Sequence, residues 1–287
     1  MRKFLPVFAV AGTVLTWAAA FPAIRYCLRE LAPLPLASMR FSLAALVALI
    51  WLAWFRPKLP SYRDLAIIAF CGALGIAAYN MLLNSGQTTV SPGAASFIVN
   101  TQPLFMVLLA FFFLGEKQNP WGWLGAALGF GGVALIASGQ PGGLSFGMGA
   151  SLIVGAALCA AIFSVLQRPL LARLGALQVT SLAIVSGALV LTPWLSAGVE
   201  ATRQASFGTV GVLVFLALAP AWIGQICWSY AIKAYGAARA GLFLFLIPPC
   251  AILISWLFLG ERPELVTLAG GALSISGVAL VNTLGRR

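Results

Sequence analysis

Amide and hydroxyl side chains recur at helical spacing inside strongly apolar stretches of this chain. Asn80, Asn84 and Gln87 follow the spacing i, i+4, i+7, which places them on one face of a helix. Ser96 and Asn100 repeat the four-residue spacing in the next stretch. Polar side chains are costly in lipid and face a bundle interior or a water-filled cavity. Taken singly, each is explained at least as well by a hydrogen bond between packed helices.

An internal repeat favours the cavity interpretation for the set as a whole. A displacement of 145 residues (225 − 80) carries Asn80 onto Gln225, and the same displacement carries Asn84 onto Ser229. Both halves of the chain therefore place amides or hydroxyls at equivalent positions. Amides offer both donors and acceptors, and aromatic rings stack or accept cations, so this lining suits a zwitterion or a neutral metabolite with an apolar part. The predicted cavity residues are Trp17, Tyr79, Asn80, Asn84, Ser96, Asn100, Gln225, Trp228, Ser229 and Phe245.

Arg40 is the one charged side chain clearly inside an apolar stretch. Its guanidinium is expected to extend outward or to pair with a carboxylate, for which Glu30 and Glu261 are the candidates. We interpret Arg40 as structural or gate-forming rather than substrate-binding. No Asp or Glu lies in the middle of a stretch, which argues against a carboxylate relay for protons or sodium. A facilitator, or coupling through a group such as Glu116, is left open.

Two prolines interrupt equivalent stretches of the two halves, since Pro103 and Pro248 are also 145 residues apart (248 − 103). Each lacks an N–H and frees the carbonyl four residues earlier, at Val99 and Leu244. Corresponding proline-interrupted helices indicate a transport site, although a packing kink leaves the same signature. We predict that both prolines kink their helices at the cavity wall, which is compatible with a transport site and with a packing kink. We assign the two prolines to gating.

Membrane-spanning helices are needed to position these side chains. The chain of 287 residues is 61% hydrophobic and 8% charged, against about 25% charged residues in soluble domains. The first apolar stretch is too long for a cleaved signal peptide and is interpreted as a retained helix. The predicted spans are 4–26, 35–55, 65–85, 92–114, 120–138, 146–167, 176–195, 208–230, 238–259 and 265–284, and the longest gap, about 196–207, is expected to be a loop.

Loop charges and the repeat together predict an inverted architecture in the inner membrane. Lys and Arg concentrate in the loops on the side of the N-terminus, which predicts that both termini are cytoplasmic. Each half holds five spans, an odd number, so two consecutive units insert with opposite orientation. We therefore predict an all-α membrane protein of ten helices in two inverted five-helix repeats, residues 1–140 and 141–287. The small-residue pairs Gly125/Gly129 and Gly270/Ser274 predict that spans five and ten pack against their own half or a second subunit.

The pattern resembles the EamA-type drug/metabolite transporter superfamily, with amino-acid exporters of the YddG kind as a neighbouring branch. The resemblance rests on the ten spans, Trp17 in the first, Met39-Arg40-Phe41 in the second, and Leu-Gly-Glu repeated at 114–116 and 259–261 with a proline before each. It implies a ten-helix fold, a central cavity, an aromatic side chain of the first span at the pathway, and export of small metabolites such as amino acids.

Several other functions compete with alternating-access export of amino acids. Efflux of drugs or lipophilic compounds is the main alternative, while a nucleotide-sugar-like antiporter would need basic residues deep in the cavity. The chain has no His and five irregularly spaced Cys, which argues against a metal site, a disulfide framework or a membrane-embedded enzyme. No cofactor, no nucleotide-binding motif and no nucleic-acid partner are expected, and the sequence leaves monomer and homodimer open.

Overall fold

The computed structural model describes residues 5–90, 92–116, 119–138, 147–259 and 265–284, and all regular secondary structure within them is helical. A chain this apolar has few other choices. Backbone N–H and C=O groups find no water in the hydrocarbon core of a bilayer, and a helix pairs all of them within one segment. The composition and the helical fold therefore have the same physical origin.

In the first half, an α-helical bundle is interrupted by one π-helical segment. That segment lies within one continuous helical rod, Tyr62–Gly86. The elements are α1 (Leu5–Cys27), α2 (Pro33–Phe55), α3 (Tyr62–Gly72), the π-helix Ala73–Ala78, α4 (Tyr79–Gly86), α5 (Pro92–Val99), α6 (Gln102–Leu114) and α7 (Pro120–Ser138).

The second half repeats this order with one additional α-helix and two 3-10 segments. The elements are α8 (Met148–Leu174), α9 (Ala176–Leu191), the 3-10 helix Thr192–Trp194, α10 (Leu195–Gln204), α11 (Phe207–Leu216), the π-helix Ala217–Gly224, α12 (Gln225–Tyr235), α13 (Ala237–Leu242), the 3-10 helix Phe243–Leu246, α14 (Ile247–Leu259) and α15 (Leu265–Thr283).

Membrane-spanning helices account for most of the described residues, so the chain is a multi-pass membrane protein. Seven stretches are long and apolar enough to cross a bilayer: Leu5–Cys27, Pro33–Phe55, Tyr62–Gly86, Ala94–Leu114, Met148–Leu174, Ala176–Gln204 and Phe207–Tyr235. Three shorter apolar helices, Pro120–Ile136, Ala237–Ala251 and Leu268–Val281, lie at the predicted positions of spans five, nine and ten. The count of ten spans stays a prediction.

Two boundaries predicted from apolar stretches are wrong. The expected loop at 196–207 is mostly helix α10, which packs on α2 with Gly198 against Pro35 and Met39. The sixth stretch continues beyond residue 167 to Leu174. Both errors have one cause, because a search for continuous apolar runs stops at polar residues even where the helix continues or restarts.

The internal repeat extends from the sequence to the helix boundaries. Helix α6 begins at Gln102 and α14 at Ile247, 145 residues later (247 − 102). Ser61 and Ser206, separated by the same interval, each cap the third helical stretch of their half by accepting a hydrogen bond from a backbone N–H three residues on. The two π-helices overlap at that offset too. The inverted orientation of the halves stays a prediction.

Helices α7 and α15 pack mainly against each other, which corrects the expectation that each packs mainly against its own half, while contact with a second subunit stays a prediction. A Cβ added at Gly132 would lie 2.5 Å from the Gly270 carbonyl oxygen, and one added at Gly277 would lie 2.5 Å from the Gly125 carbonyl oxygen. Small residues therefore let two backbones touch. The glycine pattern correctly indicates a close approach of helices, but spacing alone does not identify the partner helix.

Candidate functional site

A cavity that outlines about 770 Å³ of space, including the part open to solvent, lies between the two halves. Its wall uses the later turns of α1, the second turn of α2, both π-helices and the middle of α8. The cavity therefore extends from the middle of the bundle toward the end at which α1 turns into α2. Seven of the residues singled out in the sequence line it: Trp17, Arg40, Tyr79, Asn80, Asn100, Gln225 and Trp228.

Asn84 and Ser96 lie outside the cavity lining, although each is one helical turn from a lining asparagine. Asn84 is fully buried, and its Nδ2 donates to the Pro33 carbonyl oxygen at 3.1 Å. The Ser96 carbonyl oxygen accepts from Asn100 Nδ2 at 2.7 Å. A residue four positions along a helix keeps the same direction but moves about 6 Å along the axis, which takes both side chains beyond the wall of the cavity.

Ser229 and Phe245 also lie outside the cavity lining. Ser229 belongs to a buried polar cluster, in which its Oγ donates to Gln167 Oε1 at 3.1 Å and accepts from Thr180 Oγ1 at 2.7 Å. Phe245 is fully buried and its ring lies against Gly129. Both side chains stabilise helix packing, which is the alternative that the sequence left open for any single residue.

Two tryptophans form an aromatic wall across the boundary between the halves. The rings of Trp17 and Trp228 lie 5.4 Å apart between centroids. Trp17 Nε1 donates to the Pro220 carbonyl oxygen at 3.2 Å, and Trp228 Nε1 donates to Ser164 Oγ at 3.1 Å. Each indole therefore has its polar atom satisfied by protein and presents its ring to the cavity.

The π-helix of the second half explains the position of Arg40. Because Pro220 has no N–H, the Leu216 carbonyl oxygen loses its usual donor four residues later. Arg40 Nε takes that place at 3.1 Å, and Arg40 Nη1 donates to Asn80 Oδ1 at 3.2 Å. Asn80 is oriented in turn by its own Nδ2, which donates to the Ile76 carbonyl oxygen at 2.7 Å.

The expected environment of Arg40 is corrected by this geometry. Its side chain is only 6% exposed, so the guanidinium does not extend to the surface. Glu30 instead accepts hydrogen bonds from α11, and within the described residues no carboxylate lies at ion-pair distance from Arg40. Glu261, the other candidate, lies outside the described residues. The described wall of the cavity therefore carries a positive charge, whereas the amide, hydroxyl and aromatic side chains predicted from the sequence are neutral.

Pro103 and Pro248 begin helices rather than kink continuous ones. Pro103 is the second residue of α6, after a break at Asn100 and Thr101, and Pro248 is the second residue of α14, after a 3-10 segment. The expected kinks are therefore helix breaks, a proline position that needs no N–H. The residues four positions earlier, Val99 and Leu244, both line the cavity.

Two polar lining residues were missed by sequence reasoning. Gln102 and Ser164 face the cavity and are almost fully buried. Gln102 adjoins Pro103, and a polar residue beside a mid-span proline was the available signal. Ser164 had no comparable signal, because an isolated serine in an alanine-rich helix is common. Among the described residues no group of three or more His, Cys, Asp or Glu is placed to hold a metal ion.

The two halves contact each other at one end of the bundle, which we call the Glu116 end. Glu116 follows α6 and accepts hydrogen bonds from the backbone N–H groups of Ala237 and Ala238, at 3.2 and 2.9 Å. Arg168 of α8 lies 3.7 Å from the same carboxylate. The first Leu-Gly-Glu motif therefore caps a helix of the other half. Asp64 and Arg173 form a further ion pair between the halves at 2.7 Å.

At the opposite end, which we call the Glu30 end, hydrogen bonds also connect the two halves. Glu30 in the α1–α2 turn accepts from the Ser206 N–H at 2.7 Å and from its hydroxyl at 2.8 Å. It also accepts from Thr209 Oγ1 at 2.9 Å. These donors lie at the N-terminus of α11 in the second half and lower the pKa of the Glu30 carboxyl below its ordinary value of 4.5.

Acid is expected to weaken the hydrogen bonds between Glu30 and the N-terminus of α11. The pKa of Glu30 is depressed in the folded protein. Its carboxylate therefore contributes to the stability of the fold above the ordinary pKa, and this contribution is lost as the pH falls through the pKa of the folded state. Thermal melting of the wild type and of Glu30→Gln is the measurement. The wild type should melt higher at neutral pH, and the difference should shrink below pH 4.5. A difference that stays constant with pH would show that the carboxylate does not hold the two halves together.

Comparisons with known proteins give a consistent result along the whole chain. A family model described as the EamA-like transporter family matches residues 4–138 and 147–283. A protein of Streptantibioticus cattleyicolor named as a probable terminal-alkyne amino-acid exporter is 38% identical over 290 residues, which cover 100% of this chain and 97% of that protein. The uncharacterized transporter YdfC of Bacillus subtilis (strain 168) is 34% identical over 281 residues, covering 97% and 92%.

More distant similarities point the same way. The uncharacterized inner membrane transporter YedA of Escherichia coli (strain K12) is 28% identical over 288 residues, covering 99% of this chain and 93% of that protein. One crystal structure superposes with a TM-score of 0.79 at 19% sequence identity and covers 98% of both chains. At that identity the structural likeness supports the fold alone.

Proposed function

Because the chain belongs to the EamA-like transporter family, we propose that it exports a small metabolite through the cavity between its halves, with an amino acid as the first choice of substrate. The observation that carries this proposal is the cavity itself. Its wall is mostly apolar, with a few polar side chains and one buried guanidinium, which is the composition typical of small-molecule sites.

The cavity wall supports a substrate with both a polar and an apolar part. Trp17, Trp228 and Phe163 offer ring faces, while Asn100 and Gln225 offer amides that donate and accept. A free amino acid has this division between its charged backbone groups and its side chain. One relative is named as a probable amino-acid exporter, which supports the same choice. Multidrug efflux is the second candidate, because the lining is mostly apolar.

Alternating access is the proposed mechanism, with the Glu116 end facing the cytoplasm as the loop charges predict. The halves would rock about the cavity and expose it to one side at a time. Contacts between the halves at the Glu116 end and the Glu30 end are suitable for this, because each is a small group of charge-assisted hydrogen bonds. A nucleotide-sugar substrate fits less well, since Arg40 is the one cationic side chain in the described cavity wall.

Filling the cavity is expected to stop transport without unfolding the protein. Ala160 lines the cavity on α8, and the matched control Leu158 is 41% exposed on the same helix. In proteoliposomes preloaded with a mixture of unlabelled amino acids, Ala160→Phe should reduce counterflow of labelled amino acids at least about tenfold, because a ring would occupy space that the substrate needs. Leu158→Phe should transport at the wild-type rate.

Two results would contradict the proposed function. Equal transport by Ala160→Phe and the wild type, at equal amounts of folded protein, would place the pathway elsewhere. Flux that does not saturate and shows no counterflow would indicate a pore rather than a carrier. If lipophilic dyes but no amino acids are carried, the second candidate, multidrug efflux, replaces the first.

A further inference from the structure

We propose that Arg40 binds the carboxylate of the transported molecule, so that the substrate class is restricted to compounds carrying a carboxylate. This inference rests on the proposed function and deepens it. Its starting point is a buried charge with no counter-charge among the residues that the structure describes. The Arg40 side chain is 6% exposed and lines the cavity, while no carboxylate of the described residues pairs with it.

The hydrogen bonds of Arg40 hold the guanidinium in place but do not neutralise it. Nε donates to the Leu216 carbonyl oxygen and Nη1 donates to Asn80 Oδ1. Both acceptors are neutral, and Nη2 has no hydrogen-bond partner among the described residues. A guanidinium has five donors arranged for planar, bidentate recognition of a carboxylate. The remaining donors are therefore available to a ligand in the cavity.

Burial makes an anionic ligand the favoured occupant. An isolated charge in a low-dielectric interior is strongly destabilising, and a paired charge is much less so. The described cavity wall contains no Asp, Glu or Lys beside Arg40. A substrate that brings a carboxylate removes this imbalance, whereas a cation would add to it. The distribution of charge therefore selects carboxylates against organic cations.

An acceptor elsewhere in the wall completes the site for an amino acid. Asn100 Nδ2 is bound by the Ser96 carbonyl oxygen, while its Oδ1 is buried without a donor among the residues that the structure describes. An ammonium group supplies such a donor. Asn80 acts as a positioning residue, because it holds Arg40 Nη1 while its own amide is held by Ile76.

The wild-type protein alone provides the first test. Purified full-length protein in detergent is melted with a panel of proteinogenic amino acids, each paired with its carboxamide, which keeps the amine and side chain but loses the carboxylate. Hydrocinnamate and phenethylamine extend the panel, because they correspond to phenylalanine without its ammonium group and without its carboxylate, respectively. At least one carboxylate compound should raise the melting temperature, and its counterpart without a carboxylate should bind at least about tenfold more weakly.

Substitution of Arg40 provides the second test. Arg40→Gln should bind that carboxylate compound at least about tenfold more weakly, and the affinity should become similar to that for the carboxamide. Arg40→Lys should retain part of the preference, because it keeps the charge but not the bidentate geometry. The matched control is Arg25→Gln, since Arg25 donates to the Gln87 carbonyl oxygen outside the cavity wall. That variant should bind as the wild type does.

The outcomes separate this inference from the proposed function. Carboxamides or amines that bind or are carried as well as the acids would overturn the role of Arg40 and leave export through the cavity intact. Binding of hydrocinnamate but of no amino acid would overturn the amino-acid assignment and support the role of Arg40. Absence of any carboxylate-dependent binding across the panel overturns the inference, and the wild-type comparison decides this even if Arg40→Gln does not fold.

Discussion

Replacing Gly132 by alanine is expected to destabilise the protein strongly, although the substitution adds a single methyl group. The added Cβ would lie 2.5 Å from the Gly270 carbonyl oxygen and 2.8 Å from the Ser274 Cα. These are backbone atoms of α15, so the neighbour cannot move away by changing a rotamer. Overpacking costs typically about 1–3 kcal/mol, and rigid backbone on both sides places this site at the upper end. The apparent melting temperature should fall by roughly 4–10 °C.

The adjacent glycine is a matched control for this substitution. A Cβ at Gly131 would meet Leu273 Cδ2 at 4.0 Å, an ordinary contact distance. Gly131→Ala should therefore leave the melting temperature unchanged or raise it slightly, because alanine favours a helix over glycine. Gly132→Leu should not accumulate as folded protein. If the two alanine variants melt together, α7 and α15 do not pack as closely as the structure shows.

The helices and their order could be predicted from the sequence, because the physics of lipid leaves little choice. The predicted span 120–138 coincides with α7, and the predicted span 35–55 lies within α2. The helix α10 could not be predicted in this way. It contains Glu200 and Arg203, and its stability comes from packing on α2 rather than from an apolar run.

The sequence predicted which helix faces point toward the cavity, but not how far along each helix the cavity extends. The periodicity that selected Asn80 and Asn84 describes a direction around the helix axis, and both residues do point inward. Only Asn80 lines the cavity, because the position along the axis depends on where neighbouring helices separate. For the same reason Asn100 lines the cavity and Ser96 does not.

The contacts of charged residues between the halves were the least predictable part of the site. The sequence placed Glu30 near Arg40, but Glu30 binds Ser206 of the second half instead. The sequence singled out Glu116 as part of the repeated motif and as a possible coupling group. Its binding to the start of α13 depends on a packing arrangement that no local pattern describes. A repeated motif therefore indicated an important residue without indicating its partner.

Neutralising Glu116 is expected to open the Glu116 end of the bundle. Its carboxylate accepts two backbone hydrogen bonds from α13 and lies near Arg168. Hydrogen bonds to a charged group contribute about 1.5–3 kcal/mol each, and Glu116→Gln keeps one neutral acceptor. A loss of about 2 kcal/mol changes the ratio of closed to open states about thirtyfold. The control is Glu200→Gln, the same substitution at an exposed residue that binds its helix neighbour Gln204.

Accessibility of the cavity from each side measures this shift directly. In a background without native cysteines, Ala160→Cys places a thiol in the cavity wall. A membrane-impermeant maleimide applied at the Glu116 end should label this thiol faster in Glu116→Gln than in the parent or in Glu200→Gln. Export should slow in the same variant, because a carrier whose inner gate stays open cannot complete the return to the outer side. Equal labelling in all three proteins would show that Glu116 stabilises α13 without controlling access to the cavity.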